Sequence, residues 1–144
     1  MSEQVDPAQS PLPPDEEALR REAKGTIGRF ELVAELGAGG MGVVYLARDP
    51  MLARSVAIKL LSEAAAGAEN RARLLNEARA MARLNHPNVI HVYEVGMADE
   101  RVFVAMEYVE GRTLRAWAGE TPRTWEAILD KYLAAGRGLA AAHA

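Results

Sequence analysis

Three glycines and a lysine are the residues of this sequence whose types and spacing point most clearly to chemistry. Gly37, Gly39 and Gly42 follow the pattern G-x-G-x-x-G, and Lys59 comes after them in the segment Val56-Ala57-Ile58-Lys59. Glycines at this spacing bring backbone N–H groups close to a phosphate, because no Cβ blocks the approach. The pattern indicates phosphate binding, although the glycine spacing alone is a weak signal.

The residues after the glycines decide between several nucleotide-binding motifs. A dinucleotide-binding fingerprint must open a helix, whose N-terminus then binds the pyrophosphate. Here the next residues are Val43-Val44-Tyr45-Leu46, and such β-branched and aromatic side chains favour a strand. The nucleotide P-loop pattern also fails, since no Gly-Lys-Ser/Thr follows at the required position. The remaining interpretation is a glycine-rich β-hairpin with a lysine on the following strand.

Alternating apolar and polar residues predict an antiparallel sheet around this hairpin. In the first strand Phe30, Leu32 and Ala34 are expected on one face, with Glu31, Val33 and Glu35 on the other. Asp49-Pro50 is expected to turn the chain between the second and third strands. The pattern predicts five strands and one long helix, with the strands running from Thr26 into the glycine loop and over 43–48, 55–61, 89–95 and 102–108, and the helix over 64–84.

The predicted long helix carries an acidic residue beside its apolar stripe. The stripe consists of Leu74, Ala78, Met81 and Leu84. Glu77 lies on the edge of this stripe, and a carboxylate turned towards a core is costly unless a cation accompanies it. Lys59 is the candidate partner. The alternative is a solvated Glu77 with Arg73 or Arg79 as a surface partner, worth less than about 1 kcal/mol.

Two further helices are predicted after the fifth strand. Thr113 is a suitable N-cap for a short helix, and Thr124 or Thr121 for the last one. Gly136 and Gly138 inside that last helix each cost about 1 kcal/mol relative to alanine, so the helix needs tertiary packing. The isolated His86 and His91 are interpreted as a hydrogen-bonded loop residue and a surface strand residue rather than as ligands or catalysts.

Composition and charge limit the classes of partner and compartment. Residues 1–25 hold six acids and three bases, and the remaining residues hold 14 of each. A balanced body gives no electrostatic basis for binding nucleic acid or an anionic membrane. The absence of cysteine excludes disulfides and thiolate metal sites and suits a reducing cytosol. No apolar run reaches the roughly 18 residues of a membrane helix, so a cytoplasmic location is expected.

The first 25 residues are predicted to be a disordered, acidic, proline-rich tail. Four of the seven prolines lie within residues 1–14, where large apolar groups are few. Such a segment buries too little apolar surface to offset the entropy of ordering. Residues from Asp15 to Lys24 are interpreted as a solvated charged linker, with a short helix capped by Asp15 as the alternative that their charge distribution suggests.

Several motifs that occur in the same order make the chain resemble the bacterial serine/threonine protein kinases. They are Leu-Gly-x-Gly-x-x-Gly-x-Val at 36–44, Val-Ala-Ile-Lys at 56–59, an acidic residue at 77, His-Pro-Asn at 86–88 and Met-Glu-Tyr-Val at 106–109. The resemblance runs from about Thr26 to Ala144. It implies an α+β fold with a kinase N-lobe over 26–109, a five-stranded antiparallel sheet with one long helix. Residues 110–144 would then form the hinge exit and the first two helices of an incomplete C-lobe.

The resemblance also assigns roles at an ATP site. The glycine loop would cover the phosphates, and Lys59 would hold the α- and β-phosphates while paired with Glu77. The residues implied around the adenine and the phosphates are Leu36, Gly37, Gly39, Gly42, Val44, Ala57, Met106, Glu107 and Val109. Of these, Glu107 and Val109 match the hinge whose backbone reads the adenine edge. Thr113 falls near the position of a ribose-contacting acid.

The catalytic part of the kinase pattern is absent from these 144 residues. They contain no His-Arg-Asp loop, no Asp-Phe-Gly and no Ala-Pro-Glu, so the catalytic aspartate and the Mg²⁺ ligands are expected elsewhere in a complete enzyme. Its partner would be a protein with a serine or threonine hydroxyl, and a kinase homodimer is compatible with the family. Many such kinases carry a membrane span after the kinase domain. The alternative function is a non-catalytic nucleotide-binding or kinase-docking module.

Overall fold

The protein is described by a computed structural model that covers residues 21–62 and 67–144. One antiparallel sheet dominates it and is followed by two helices near the C-terminus. The elements in chain order are β1 (Arg21–Glu22), β2 (Thr26–Ile27), β3 (Phe30–Gly39), β4 (Gly42–Asp49), β5 (Arg54–Leu61), α1 (Ala68–Ala82), β6 (Val92–Ala98), β7 (Arg101–Glu107), α2 (Leu114–Glu120) and α3 (Trp125–His143). No helix in the two described ranges is long and apolar enough to cross a membrane.

The sheet contains the five predicted strands, but the first, predicted to run from Thr26 into the glycine loop, is divided into β2 and β3 by a turn at Gly28-Arg29. Strand β1 was not predicted. The strand order is β1-β3-β4-β5-β7-β6, and β2 also pairs with β3. Arg21–Glu22 pairs antiparallel with Glu35 and Ala34, because the edge of the long β3 offers unpaired backbone groups. The alternative of a helix from Asp15 to Lys24 is therefore wrong over β1, and its first part lies outside the described residues. Ordered structure begins before the predicted boundary at residue 26.

Two register shifts in β3 correct the predicted alternation of its side chains. The β3–β4 pairing is irregular between Leu32 and Ala34 and again between Glu35 and Gly37. A β-bulge adds one residue to one strand, which changes the face of every residue beyond it. Leu32 consequently pairs with Ala47, whereas Ala34 pairs with Leu46. Leu32 and Ala34 therefore face opposite sides of the sheet, against the prediction.

The two faces of the sheet have different tasks. The main core lies on one face and consists of Ile27, Phe30, Ala47, Val56, Ile58, Phe103 and Ala105. Phe30 and Phe103 meet edge to face with their ring centroids 5.9 Å apart, a favourable aromatic geometry. Since side chains alternate along a strand, Ala57 and Lys59 on β5 lie on the opposite face. The residues of β5 that are predicted to bind the nucleotide therefore lie on the face of the sheet opposite the main core.

The predicted N-caps of the last two helices are observed, whereas the end of α1 and the start of β6 differ from the prediction. Thr113 caps α2 and Thr124 caps α3, each accepting a hydrogen bond from the backbone N–H three residues on, at 3.1 and 3.2 Å. The long helix α1 ends at Ala82, and β6 begins at Val92 rather than Val89. The reason is that Val89 donates its N–H to the His86 carbonyl in a turn. On α3 most of the large apolar side chains are exposed, namely Trp125, Leu129, Tyr132, Leu133 and Leu139.

A buried carboxylate organises the turn between β4 and β5. Asp49 is fully buried and accepts hydrogen bonds from the Arg29 guanidinium at 3.2 and 3.3 Å and from the Met51 N–H at 3.0 Å. Arg29 also donates to Glu94 at 2.6 Å. The Arg29 hydrogen bond is the main cause that lowers the pKa of Asp49 below its usual value. The turn predicted at Asp49-Pro50 is therefore also an electrostatic link from β4 to β6.

Replacing Asp49 by asparagine is expected to destabilise the fold in a pH-dependent way. The pKa of Asp49 is lower in the folded than in the unfolded chain, where it is about 3.9. Its charge therefore stabilises the fold above about pH 4, and this contribution is lost as the pH falls through the lowered pKa. We expect a cost near pH 7 of about 1 kcal/mol, reduced by solvent screening at the partly exposed Arg29.

Urea unfolding of the wild type and of Asp49→Asn at pH 7 and pH 3 measures this difference. The gap between the two proteins should narrow at pH 3. A gap that stays constant would show that the charge of Asp49 does not contribute to stability.

Candidate functional site

The predicted glycine loop is a tight β-hairpin. Strands β3 and β4 pair up to Gly39 and Gly42, and Gly40-Met41 forms the turn between them. A small cavity of about 200 Å³ lies at this hairpin and is lined by Gly37, Ala38, Gly39, Met41, Gly42, Val44 and Lys59. The hairpin and the lysine predicted to bind phosphate thus share one cavity.

The strand register explains how Lys59 reaches the hairpin. Val44 pairs directly with Gly37 on one side and with Lys59 on the other. Residues directly opposite in antiparallel strands project from the same face. The three positions therefore form one row across β3, β4 and β5, and Lys59 lines the cavity at the hairpin.

The three glycines of the motif differ in what makes them necessary. A Cβ on Gly37 or Gly39 would meet no atom within 4 Å, so these positions leave open space on the hairpin. Gly42 has φ of +137°, and a Cβ there would overlap the Leu60 carbonyl oxygen of β5. The backbone conformation and packing at position 42 require glycine. At Gly37 and Gly39 the space next to the backbone is empty, so a ligand such as a phosphate can approach there.

A serine that the sequence analysis missed holds the hairpin tip. Ser62 Oγ donates to the Gly40 carbonyl at 3.2 Å, and the Ser62 N–H donates to the Met41 carbonyl at 3.2 Å. The sequence contained one signal for this contact. Because Leu61 pairs with Gly42, the residue after the third strand must lie beside the hairpin turn. A hydroxyl at that position can bond to the turn and restrict its movement.

The structure does not bring Lys59 and Glu77 together. Glu77 is 63% exposed and lies 3.5 Å from the Arg73 guanidinium, which is 71% exposed. It also lines a groove of about 550 Å³ between the ends of α1 and α3, a different cavity from the one that Lys59 lines. The Arg73 contact matches the alternative that the sequence left open. Helix α1 packs on β6 and β7 through half-buried side chains such as Leu74 and Ala78, and Glu77 lies beside them on the exposed side.

The predicted adenine-pocket residues lie on the face that the main core leaves free. Ala57 pairs with Leu46 on β4 and with Met106 on β7, which aligns these positions across the sheet. Ala57 is buried. Leu36 falls at the second register shift of β3, between the paired residues Glu35 and Gly37. The register therefore places Val44, Ala57 and Met106 on one face of the sheet, whereas Leu36 has no paired position.

The predicted hinge is fixed at its start by a pair of hydrogen bonds. The Glu107 N–H donates to the His91 carbonyl at 2.8 Å, and the His91 N–H donates to the Glu107 carboxylate at 3.2 Å. The resemblance to kinases predicts a role for the Glu107 backbone in reading the adenine edge and none for its side chain. The structure gives that side chain a contact with the segment before β6. Val109 is exposed in the connection to α2, and Thr113 caps α2 instead of facing the pocket residues.

No group of three or more histidine, aspartate and glutamate residues that could hold a metal occurs within 21–62 and 67–144. The cavity under the hairpin can therefore supply backbone N–H groups and one ammonium to a ligand, but no carboxylate cluster for a cation. Such an environment suits a phosphate better than a bare metal ion.

The comparisons with known proteins agree with the motifs. Residues 30–143 match the family model described as protein kinase domain. Similar proteins include the serine/threonine-protein kinase PrkC of Bacillus subtilis, 42% identical over 62% of this chain and 14% of that protein. PknJ of Mycobacterium tuberculosis is 48% identical over 57% of this chain and 14% of that protein. The chain thus spans about a seventh of the length of these relatives.

Solved structures give the same result for the fold. The PknI kinase domain of Mycobacterium tuberculosis superposes with a TM-score of 0.70 at 30% identity. The superposition covers 85% of this chain and 51% of the PknI chain. With a family match over most of its residues and the sheet, hairpin and lysine arranged as described, the chain belongs to the protein kinase family, and its relatives are bacterial serine/threonine kinases.

Proposed function

We propose that these residues form the ATP-binding portion of a serine/threonine protein kinase. The observation that carries the proposal is the row of Gly37, Val44 and Lys59 beside an open hairpin. In this proposal the hairpin N–H groups and the Lys59 ammonium hold the phosphates. Val44, Ala57 and Met106 would pack on the adenine, and the backbone at Glu107 and Val109 would read its edge.

When bound, ATP would supply a γ-phosphoryl group for transfer to a serine or threonine hydroxyl of a protein. The contribution of these residues is to bind and orient the nucleotide, which places the reacting groups in a fixed geometry. The Mg²⁺ ligands and the catalytic base are proposed to come from other residues of the complete enzyme. The proposal also includes a cytosolic compartment, no nucleic-acid partner and a kinase homodimer.

The predicted pair of Lys59 and Glu77 remains part of the proposal for the nucleotide-bound form. Its formation requires α1 to turn Glu77 away from Arg73 and towards β5. The exposed contact with Arg73 is worth less than about 1 kcal/mol, so breaking it costs little. Helix α1 packs on the sheet through half-buried rather than fully buried side chains, so such a rotation disturbs little of the main core.

A non-catalytic docking module is the second candidate, and the exposed apolar side chains of α3 favour it. Trp125 is 70% exposed, and Leu129, Leu133 and Leu139 are exposed on the same helix. Apolar surface of this kind marks sites that bind partners or other parts of a protein. The intact mass of the protein from its native source distinguishes the two candidates. A stable 15.6 kDa species favours the module, and a much longer chain favours the kinase.

Weak ATP binding by residues 1–144 is the expected result that tests the nucleotide site. The chain has the hairpin and Lys59 but no opposing wall for the nucleotide, so we expect a dissociation constant of about 1 mM or weaker. Lys59→Met should weaken binding by roughly tenfold or more, because a charge-assisted hydrogen bond to phosphate is lost. Calorimetry or an NMR titration with ATP measures both values.

Lys131→Met is the matched control, because it removes the same charge from α3. Equal ATP affinities of the wild type and Lys59→Met would contradict the proposed site. A micromolar dissociation constant would contradict the expectation that the cleft is incomplete.

A further inference from the structure

Gly138 is the residue through which α3 packs most closely against the preceding part of the protein. It is the one buried residue of α3. A Cβ built on Gly138 would lie 2.5 Å from the Asn88 carbonyl oxygen and 3.2 Å from the Asn88 Cβ. Real Cβ atoms do not approach a backbone oxygen so closely, so alanine at 138 must push the helix away from this loop.

A second glycine on the same helix shows that this closeness is specific. A Cβ on Gly136 would meet no atom within 4 Å. Glycine in a helix interior lowers helix stability relative to alanine. At Gly136 no close contact explains the absence of a side chain. Gly138 differs because its missing side chain permits the approach of the Asn88 backbone. The two positions therefore form a natural matched pair.

The loop that Gly138 contacts is a stiff turn. The Asn88 N–H donates to His86 Nδ1 at 3.1 Å, and the Val89 N–H donates to the His86 carbonyl at 3.1 Å. These two bonds fix the direction of the Asn88 carbonyl, which faces Gly138. A displacement of α3 at Gly138 is therefore expected to move this turn as a unit.

The same segment reaches the predicted hinge three residues later. His91 exchanges two hydrogen bonds with Glu107, one to the Glu107 backbone and one to its carboxylate. Gly138 thus contacts Asn88, the backbone leads from Asn88 to His91 three residues on, and His91 is hydrogen-bonded to Glu107. Contiguous packed and hydrogen-bonded groups of this kind are able to couple two sites.

We propose that Gly138 is a positioning residue that holds the loop 86–91, and with it Glu107, in the orientation needed to read the adenine of a nucleotide. The inference deepens the proposed function and rests on it where nucleotide binding is concerned. Gly138 acts only through Asn88, His91 and Glu107. The structural part of the inference, the link from Gly138 to Glu107, is testable without any nucleotide.

Amide hydrogen exchange measured by NMR on residues 1–144 tests the link, with Gly138→Ala compared with Gly136→Ala. In Gly138→Ala the Glu107 and His91 amides should exchange about tenfold faster or more, since their bonds open locally. The central β5 amides at Val56 and Ile58 should stay unchanged. In Gly136→Ala all of these rates should remain within about twofold of the wild type, because the new methyl meets open space.

Unchanged Glu107 and His91 exchange in Gly138→Ala would overturn the link. An equal acceleration of the β5 amides would also overturn it, because that result reports only a global loss of stability. If Gly138→Ala fails to fold, the variant Glu107→Ala tests the link from the other end. Coupling is reciprocal, so this variant should accelerate exchange of the α3 amides around Gly138, and unchanged rates there would refute the inference.

A nucleotide titration separates this inference from the proposed function. ATP should bind more weakly to Gly138→Ala than to Gly136→Ala, because the backbone at Glu107 would no longer be held against the adenine edge. Equal affinities of the two variants would overturn the positioning role. If Lys59→Met binds ATP as tightly as the wild type, the proposed function fails, whereas the exchange rates still support or refute the link from Gly138 to Glu107.

Discussion

Replacing Gly42 by alanine is expected to unfold the protein or to destabilise it by about 3 kcal/mol or more, from strained backbone and overpacking together. Gly42 has φ of +137°, a conformation that alanine rarely adopts, and its Cβ would overlap the Leu60 carbonyl oxygen. That oxygen belongs to β5, which pairs with β4 from Gly42 onwards. The substitution therefore disturbs the strand pairing that carries Lys59.

Gly37→Ala and Gly39→Ala are the matched controls for this prediction. Their new methyl groups meet no atom within 4 Å, so their stabilities should lie within about 0.5 kcal/mol of the wild type. Under the proposed function they should still weaken ATP binding, because a methyl group occupies space next to the phosphates. Urea unfolding of the three variants measures the stabilities. A Gly42→Ala variant as stable as Gly39→Ala would contradict the assignment of Gly42 to the fold.

The periodicity of the sequence was sufficient to predict the strands that carry the site. Alternating side chains predicted the glycine hairpin, and the turn residues Asp49-Pro50 predicted that the strand with Lys59 follows antiparallel. The observed register of β4 and β5 pairs Val44 with Lys59. These features depend on neighbours that are close in sequence. Local propensity and hairpin geometry are therefore enough to specify them.

Features that depend on contacts distant in sequence were not predictable. The two register shifts of β3 place Ala34 and Leu36 against the simple alternation, and a bulge leaves little signal in one sequence. The two-residue strands β1 and β2 are too short for a periodic pattern. The pairing of β1 with β3 uses the free edge of that strand, which only the folded sheet reveals, whereas β2 pairs with β3 across the short turn at Gly28-Arg29.

The contact of Glu77 illustrates the same limit within the candidate site. Its position at the edge of an apolar stripe predicts the side of α1 on which it lies, but not the rotation of the helix about its axis. That rotation is set by how the half-buried side chains Leu74 and Ala78 pack on the sheet, which is a tertiary contact. The sequence therefore left Lys59, Arg73 and Arg79 open as partners, and the structure contains the contact with Arg73.

Residues 1–144 alone are expected to show no measurable transfer of phosphate from ATP to a protein substrate. The 144 residues contain no His-Arg-Asp and no Asp-Phe-Gly, and the described ranges hold no acidic cluster for Mg²⁺. Loss of the general base alone costs about 10² to 10⁴ in rate. Loss of the metal ligands removes most of the charge stabilisation of the transferred phosphoryl group, so the combined effect brings the rate below detection.

Incubation with labelled ATP, Mg²⁺ and a generic protein substrate measures this activity, and Lys59→Met identifies its source. Label transfer that is equal in the wild type and Lys59→Met would come from a contaminating kinase, because the contaminant does not depend on Lys59. Transfer that occurs in the wild type and disappears in Lys59→Met would contradict the prediction. The chain would then contain a catalytic base outside the family pattern, and the carboxylates nearest the hairpin would be the residues to replace next.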